Sequence, residues 1–298
     1  MNPGMIYAAL AYGIWGLFPL YFRQLADVPA LEVIMHRTVW SLGFVLLLLL
    51  ALRRWAWIRK VAHQPRVLGA FAVSALLLSS NWLTYVWAVL NAHVLDASLG
   101  YFILPLVNVA LGFIFLGERP RRGQWLAVGI ASAGVLWLAV QAGHVPWIAL
   151  VLAATFGIYG LLRKVAVLGA LEGLALETAL LAPLALLYMG WQAWAGHGVL
   201  AQGASTTLGW LLLAGPLTAI PLLLFAAGAR RIPMTTLGIL QYLSPTLLFL
   251  LSTLVFGEPM QAVRLLGFVL IWVALVVYSV EGWRFSQKSK TPPFPTER

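Results

Sequence analysis

The chain has 298 residues, 62% hydrophobic and 9% charged, with 19 basic against 9 acidic residues and no cysteine. Soluble domains run to about 45–50% apolar and about 25% charged residues, so most of this apolar surface has to face lipid. The lack of cysteine excludes a disulfide framework and a Cys-based metal site.

The start, Met1 to Gly4, lacks the basic segment of a cleavable signal peptide. An apolar stretch over 4–23 follows, with Tyr12, Gly16 and Pro19 on one stripe and Trp15 beside it. In the stretch 31–52, Glu32 and His36 are spaced i, i+4, the spacing of a pair on one helix face. Arg37 lies six residues inside it, about 9 Å deep at 1.5 Å per residue. Basic residues Arg53, Arg54, Arg59, Lys60 and Arg66 lead to the stretch 67–90, where Asn81, Thr84, Tyr85 and Ala88 share a face flanked by Trp82 and Trp87. On 97–116, Tyr101, Pro105, Asn108 and Gly112 share another. That stretch ends at Gly117-Glu118, followed by Arg119, Arg121 and Arg122, and the first half closes with 123–141.

The second half opens with 145–162, carrying Thr155 and Tyr159 and ending at Arg163-Lys164. In 173–194, Glu177 sits about five residues, roughly 7 Å, inside. A Gly-rich polar linker then leads to 207–229, with Pro216, Thr218 and Pro221, closed by Arg230-Arg231. The stretch 234–256 carries Gly238, Gln241, Pro245 and Ser252 along one face, with Tyr242 beside it. After Gly257-Glu258 comes the tenth stretch, 262–281. The polar, Pro-rich segment 284–298 reads as a disordered cytoplasmic tail.

Ten apolar runs of spanning length, too long for barrel strands, predict an all-α polytopic membrane protein with ten transmembrane helices. Of the 19 basic residues, only Arg23, Arg37 and Arg264 fall on one side of that arrangement. The basic clusters therefore anchor the chain against anionic lipid, with both termini cytoplasmic, rather than bind nucleic acid. Leu99-Gly100, Pro105 and Gly117-Glu118 recur as Leu237-Gly238, Pro245 and Gly257-Glu258, and Ala30-Leu31-Glu32 recurs as Ala170-Leu171-Glu172. Each half, 1–142 and 143–283, holds an odd number of spans, so the repeats are expected to be inverted.

Polar and helix-breaking residues are costly in lipid and mark a substrate path. The expected substrate contacts are Trp15, Asn81, Tyr85, Tyr101, Asn108, Tyr159, Gln241 and Tyr242, in a cavity between the first, third, fourth, sixth, eighth and ninth spans. The expected helix bends are Pro19, Pro105, Pro216, Pro221 and Pro245. The intramembrane ionisable groups are His36, Arg37 and Glu177. His36 is a candidate proton sensor. Arg37 has Asp96 or Glu258 as a candidate partner, and Glu177 has Arg163 or Arg231. Glu118 and Glu258 read as membrane-boundary residues, and Gly13, Gly16 and Gly112 as candidate points of close helix packing. No metal, cofactor or ATP site is expected, because the chain has no P-loop, HExxH, GxSxG or paired acids.

The motifs Gly13-Ile14-Trp15-Gly16 with Pro19 and Tyr21, His36-Arg37 with Trp40-Ser41, and Asn81-Trp82 with Trp87-Ala88-Val89 are characteristic in combination. So are Ala97 to Phe102 with Pro105 to Asn108, Phe115 to Arg119, Glu177-Thr178, Pro221-Leu222, and Gln241-Tyr242 with Pro245-Thr246. Together they resemble the RarD-type permeases (chloramphenicol-sensitive proteins) of the EamA branch of the drug/metabolite transporter superfamily. The resemblance implies two five-helix EamA repeats, a bacterial cytoplasmic membrane and small-molecule transport. Leu104 and Leu90 stand where that family pattern leads one to expect Asn.

The sequence thus predicts a secondary transporter working by alternating access on a small amphipathic or aromatic metabolite or drug. Aromatic and amide side chains suit such a substrate better than sugar phosphates or metal ions. The alternatives are a passive channel and a membrane-embedded enzyme using His36 and Glu177. The expected partners are a small-molecule substrate and membrane lipid, with the chain a monomer or homodimer.

Overall fold

The computed structural model describes residues 2–91, 93–141, 143, 145–203, 205–255 and 262–290. Among them ten helices are long and apolar enough to cross a membrane: Pro3–Leu25, Ala30–Ala51, Pro65–Ala88, Asp96–Phe115, Arg122–Gln141, Trp147–Val165, Ala170–Trp194, Thr206–Ala229, Met234–Leu251 and Leu265–Phe285. Helix is what such runs must form, since lipid offers no partner to an exposed backbone N–H or C=O. Leu47, Leu187 and Leu254 are 66%, 72% and 78% exposed, an outward apolar surface that a soluble protein would bury.

We number the helices α1 (Pro3–Gly16), α2 (Phe18–Phe22), α3 (Ala30–Ala51), α4 (Ala56–Ala62), α5 (Pro65–Leu90), α6 (Val94–Phe115), α7 (Arg122–Gln141), α8 (Trp147–Val165), α9 (Ala170–Trp194), α10 (Gly198–Gln202), α11 (Ser205–Ala229), α12 (Met234–Gln241), α13 (Leu243–Leu254) and α14 (Ala262–Lys290). The first span is α1 with α2, the ninth is α12 with α13, and α4 and α10 lie in linkers. Both interruptions have a proline cause. Proline lacks the N–H for the carbonyl four residues back and its ring crowds that carbonyl. Pro19 thereby disturbs the helix at Trp15 and Pro245 disturbs it at Gln241, and the breaks fall at Leu17 and Tyr242.

The other expected bends do not interrupt their helices: Pro105 lies inside α6, and Pro216 and Pro221 lie inside α11. A spanning helix surrounded by neighbours tolerates the loss of a single ladder bond. Of the residues read as disordered tail, 284–290 continue α14. Gly257-Glu258, 291–298 and the side chains of Ser252 and Arg264 lie outside the described residues.

The principal helix pairs are α6 with α8, α7 with α14, α11 with α3 and α1, α3 with α9, α5 with α8, and α12 with α6. One apolar core joins Tyr12, Val45, Leu49, Leu78, Tyr159, Phe225, Met234 and Leu237, and a second joins Phe102, Val135, Tyr242, Phe268 and Ile271. At the edge of the α7–α14 pair, Arg121 grips Glu281 with two donors at 2.5 and 2.8 Å, which holds its guanidinium above the usual arginine range.

The repeated sequence motifs mark ties between elements. Glu32 accepts the Val199 N–H at 2.7 Å, anchoring the linker that follows α9. Its counterpart Glu172 takes Arg54 at 2.7 Å, anchoring the linker that follows α3. Gly117 adopts φ +64°, and the Glu118 N–H returns to the Gly112 carbonyl at 3.0 Å. That left-handed turn aims the Glu118 carboxylate at the start of α12, where it accepts from the Met234 N–H at 2.6 Å and from the Thr235 N–H and Oγ1 at 3.0 Å. Glu118 is thus the capping anion of the ninth span as well as a boundary residue.

Candidate functional site

The broken helices frame the site. Ser244, just past the break in the ninth span, donates to the Tyr12 carbonyl at 2.6 Å, and a Cβ on Gly16 would meet Leu247 Cβ at 2.8 Å. Between these spans and α3, α5, α6, α8 and α11 lies a cavity of about 200 Å³. A single water needs about 10–15 Å³ on that scale, so the space suits a small organic molecule. Its wall includes Trp15, Phe18, Trp82 and Phe156 together with Tyr12, Tyr85, Tyr101, Asn81, Gln241 and Arg37.

Asn81, Gln241 and Arg37 are held in orientation by hydrogen bonds. Asn81 spends its Nδ2 on the Leu152 carbonyl and on Thr155 Oγ1, both at 2.9 Å, which leaves Oδ1 as acceptor. Gln241 Oε1 accepts from Asn108 Nδ2 at 2.9 Å and from Tyr12 OH at 3.5 Å, leaving its amide NH₂ as donor. Tyr85 and Tyr101 meet edge to face at 6.3 Å. Arg37 donates from Nε to Thr218 Oγ1 at 2.8 Å and stands 5.0 Å from the Trp82 ring and 5.7 Å from the Phe18 and Phe22 rings.

The structure brings Trp15, Asn81, Tyr85, Tyr101 and Gln241 to the cavity wall, with Pro19 and Pro245. It sets the other three expected contacts behind that wall. Asn108 supports Gln241, Tyr242 OH donates to the Phe102 carbonyl at 3.3 Å, and Tyr159 OH donates to Glu177 Oε2 at 3.4 Å. Of the two partners expected for Arg37, Glu258 lies outside the described residues and Asp96 lies against His93 at 3.3 Å, while the Arg37 side chain lines the cavity. Span two therefore joins the wall through Arg37, a residue not among the expected substrate contacts. Phe18, Phe22, Phe156 and Leu248 also line it, and in the sequence nothing separates them from lipid-facing apolar residues.

His36 and Glu177 are not brought together. Trp40 Nε1 donates to His36 Nδ1 at 3.0 Å, and Glu32 lies 3.8 Å from His36 Nε2. Glu177, fully buried rather than snorkelling, accepts from Ser74 Oγ at 2.5 Å and faces Arg163 at 3.7 Å, the expected partner. Arg163 is itself 2% exposed, and its NH2 donates to the Ala170 carbonyl at 3.0 Å.

Successive spans alternate in direction, so the wall residues of the first, second, third and fourth spans lie in the half of the bundle remote from the termini. The opposite face carries a set of ties between elements. Lys164 Nζ donates to the carbonyls of Ala229 and Ile232 at 3.0 and 2.5 Å, and Arg230 donates to those of Ala166 and Leu168, each at 2.7 Å. Glu118 closes the α6–α12 junction on the same face.

Residues 2–140 match the model of the EamA-like transporter family. An uncharacterized transporter of Pseudomonas aeruginosa is 48% identical, over 98% of both chains. Protein RarD of Streptomyces exfoliatus is 47% identical, over 96% of this chain and 91% of its own. A solved crystal structure superposes with a TM-score of 0.69 at 18% identity, covering 93% of this chain and 97% of its own, which is a likeness of fold. With near full-length identity of this order, the chain is a multi-pass membrane transporter that belongs to the EamA-like transporter family, in its RarD branch.

Proposed function

We propose that this transporter is a secondary carrier that moves a small amphipathic or aromatic metabolite or drug across the bacterial cytoplasmic membrane by alternating access. The carrying observation is a cavity framed by two proline-broken spans, one from each half of the chain, with the Glu118 tie between the halves on the side of the termini. Broken spans at a cavity are where carriers bind substrate. With both termini cytoplasmic, as the basic clusters favour, this is an outward-facing arrangement.

Two inverted five-helix halves, 1–142 and 143–283, would supply the rocking bodies. Contacts exchange under the 140-residue offset: Arg37 meets a hydroxyl of α11, and its counterpart Glu177 meets a hydroxyl of α5. Tyr242 touches the carbonyl of its own counterpart, Phe102. The Glu32 and Glu172 ties are a third such pair.

Saturable counterflow of a labelled aromatic solute in proteoliposomes tests this reading. A carrier exchanges and saturates; a channel conducts in proportion to concentration and shows no exchange. Counterflow unchanged by Asn81→Leu together with Gln241→Leu overturns the site assignment.

A further inference from the structure

The cavity holds a cation that no anion among the described residues matches. Arg37 gives Nε to the neutral Thr218, and among the described residues its terminal NH₂ groups have no hydrogen-bond partner and no carboxylate lies within ion-pair distance. The buried acids among the described residues have other partners: Glu32 the Val199 N–H, Asp96 His93, Glu172 Arg54, and Glu177 Ser74 and Arg163. The three aromatic rings around Arg37 ease its charge without cancelling it. Gln241 adds to this imbalance, because Asn108 and Tyr12 occupy its oxygen and leave its NH₂ to donate.

We infer that Arg37 is the anion-binding group of the cavity, and that the substrate is a small organic anion, a carboxylate carried on an aromatic or apolar body. The planar guanidinium takes a carboxylate on two parallel N–H donors, which a hydroxyl or amide cannot match. Trp15, Phe18 and Phe156 offer the apolar body its surface. A cationic drug is disfavoured, since its charge would have to sit beside the guanidinium. The inference rests on the carrier reading of the same cavity and narrows it.

Three nearly isosteric probes separate the charge classes: 3-phenylpropionate, 3-phenylpropionamide and 3-phenylpropylamine. Thermal unfolding of the purified full-length protein is followed against each. The expected result is a saturable rise in melting temperature with 3-phenylpropionate, at least tenfold lower in half-saturating concentration than with the other two. Arg37→Gln removes the rise and Arg37→Lys keeps part of it. An amide or amine that stabilises as well, a carboxylate without effect, or a rise that survives Arg37→Gln overturns the inference. The charge preference of the unsubstituted protein decides the question even where Arg37→Gln does not fold. Counterflow of the same probes separates the two readings. Arg37-dependent binding of the carboxylate without saturable exchange overturns the carrier and keeps the anion site. Saturable exchange of the amine or amide without carboxylate binding keeps the carrier and overturns the anion site.

Discussion

Asn108 holds Gln241 in place: its Nδ2 donates to Gln241 Oε1 at 2.9 Å across the α6–α12 contact, with both residues buried. That bond decides which end of the Gln241 amide faces the cavity. Removing one partner of a buried hydrogen bond costs about 1–3 kcal/mol, and about 1.4 kcal/mol is a tenfold change in affinity. Asn108→Ala is therefore expected to weaken substrate about tenfold without touching the cavity wall, measured as the half-saturating concentration in counterflow. Asn108→Asp, which carries no NH₂ to donate, is expected to do the same.

Glu118 caps a helix to which it is not adjacent in sequence. Its carboxylate satisfies two N–H groups at the start of α12 and the Thr235 hydroxyl. Loss of a helix cap costs about 0.5–2 kcal/mol. Glu118→Ala is expected to lose that amount in denaturant unfolding and Glu118→Gln less, because the amide oxygen still accepts. In the carrier, opening the terminal face separates α6 from α12, so Glu118→Ala is also expected to raise labelling of cysteines introduced on that face.

Arg163 and Glu177 form a buried pair, at 2% and 0% exposure of their side chains. Breaking such a pair by removing one charge costs about 3–5 kcal/mol, while replacing both with apolar groups of similar volume costs far less. Arg163→Met and Glu177→Leu are each expected to destabilise strongly, and the double variant to recover much of the loss. Additive losses in a double-mutant cycle would show that the two charges are stabilised by Ser74, Tyr159 and the Ala170 carbonyl rather than by each other.

The spans were legible in the sequence because lipid demands long uncharged runs, and interior charges were legible because they are rare. The polar face of α5 also led to the wall, through Asn81 and Tyr85. Three of the expected contacts lie one layer behind the wall, because helical spacing gives the face and not the depth. Asn108, Tyr159 and Tyr242 lie on inward faces, but Gln241, Glu177 and the Phe102 carbonyl take their polar atoms first. Proline spacing likewise identified Pro19, Pro105 and Pro245 as special, yet did not tell which would break its helix. The Gly-Glu and Ala-Leu-Glu repeats stood out as sequence, but the bonding partners of Glu118 and Glu32 lie 116 and 167 residues away. No local pattern encodes that distance.

Glycines in the spans separate into contact and non-contact positions, which spacing alone cannot do. A Cβ on Gly238 would fall 2.6 Å from the Pro105 carbonyl, and one on Gly112 would fall 2.8 Å from Met234 Cβ. Both lie at the α6–α12 crossing: the Gly238 Cβ would meet backbone and a Cβ, which cannot move aside, and the Gly112 Cβ would also fall 2.7 Å from the Glu118 carboxylate that caps α12. One on Gly13 meets nothing within 4 Å. Overpacking a close contact costs about 1–3 kcal/mol, whereas Gly to Ala in an unobstructed helix gains up to about 1 kcal/mol in propensity. Gly238→Ala is therefore expected to lower the unfolding midpoint and to weaken substrate by displacing Gln241 one helical turn away. Gly13→Ala is expected to leave transport unchanged and to match or raise the midpoint. Equal effects at the two positions would mean that the fourth and ninth spans are not in the close contact on which both the Asn108–Gln241 bond and the Glu118 cap depend.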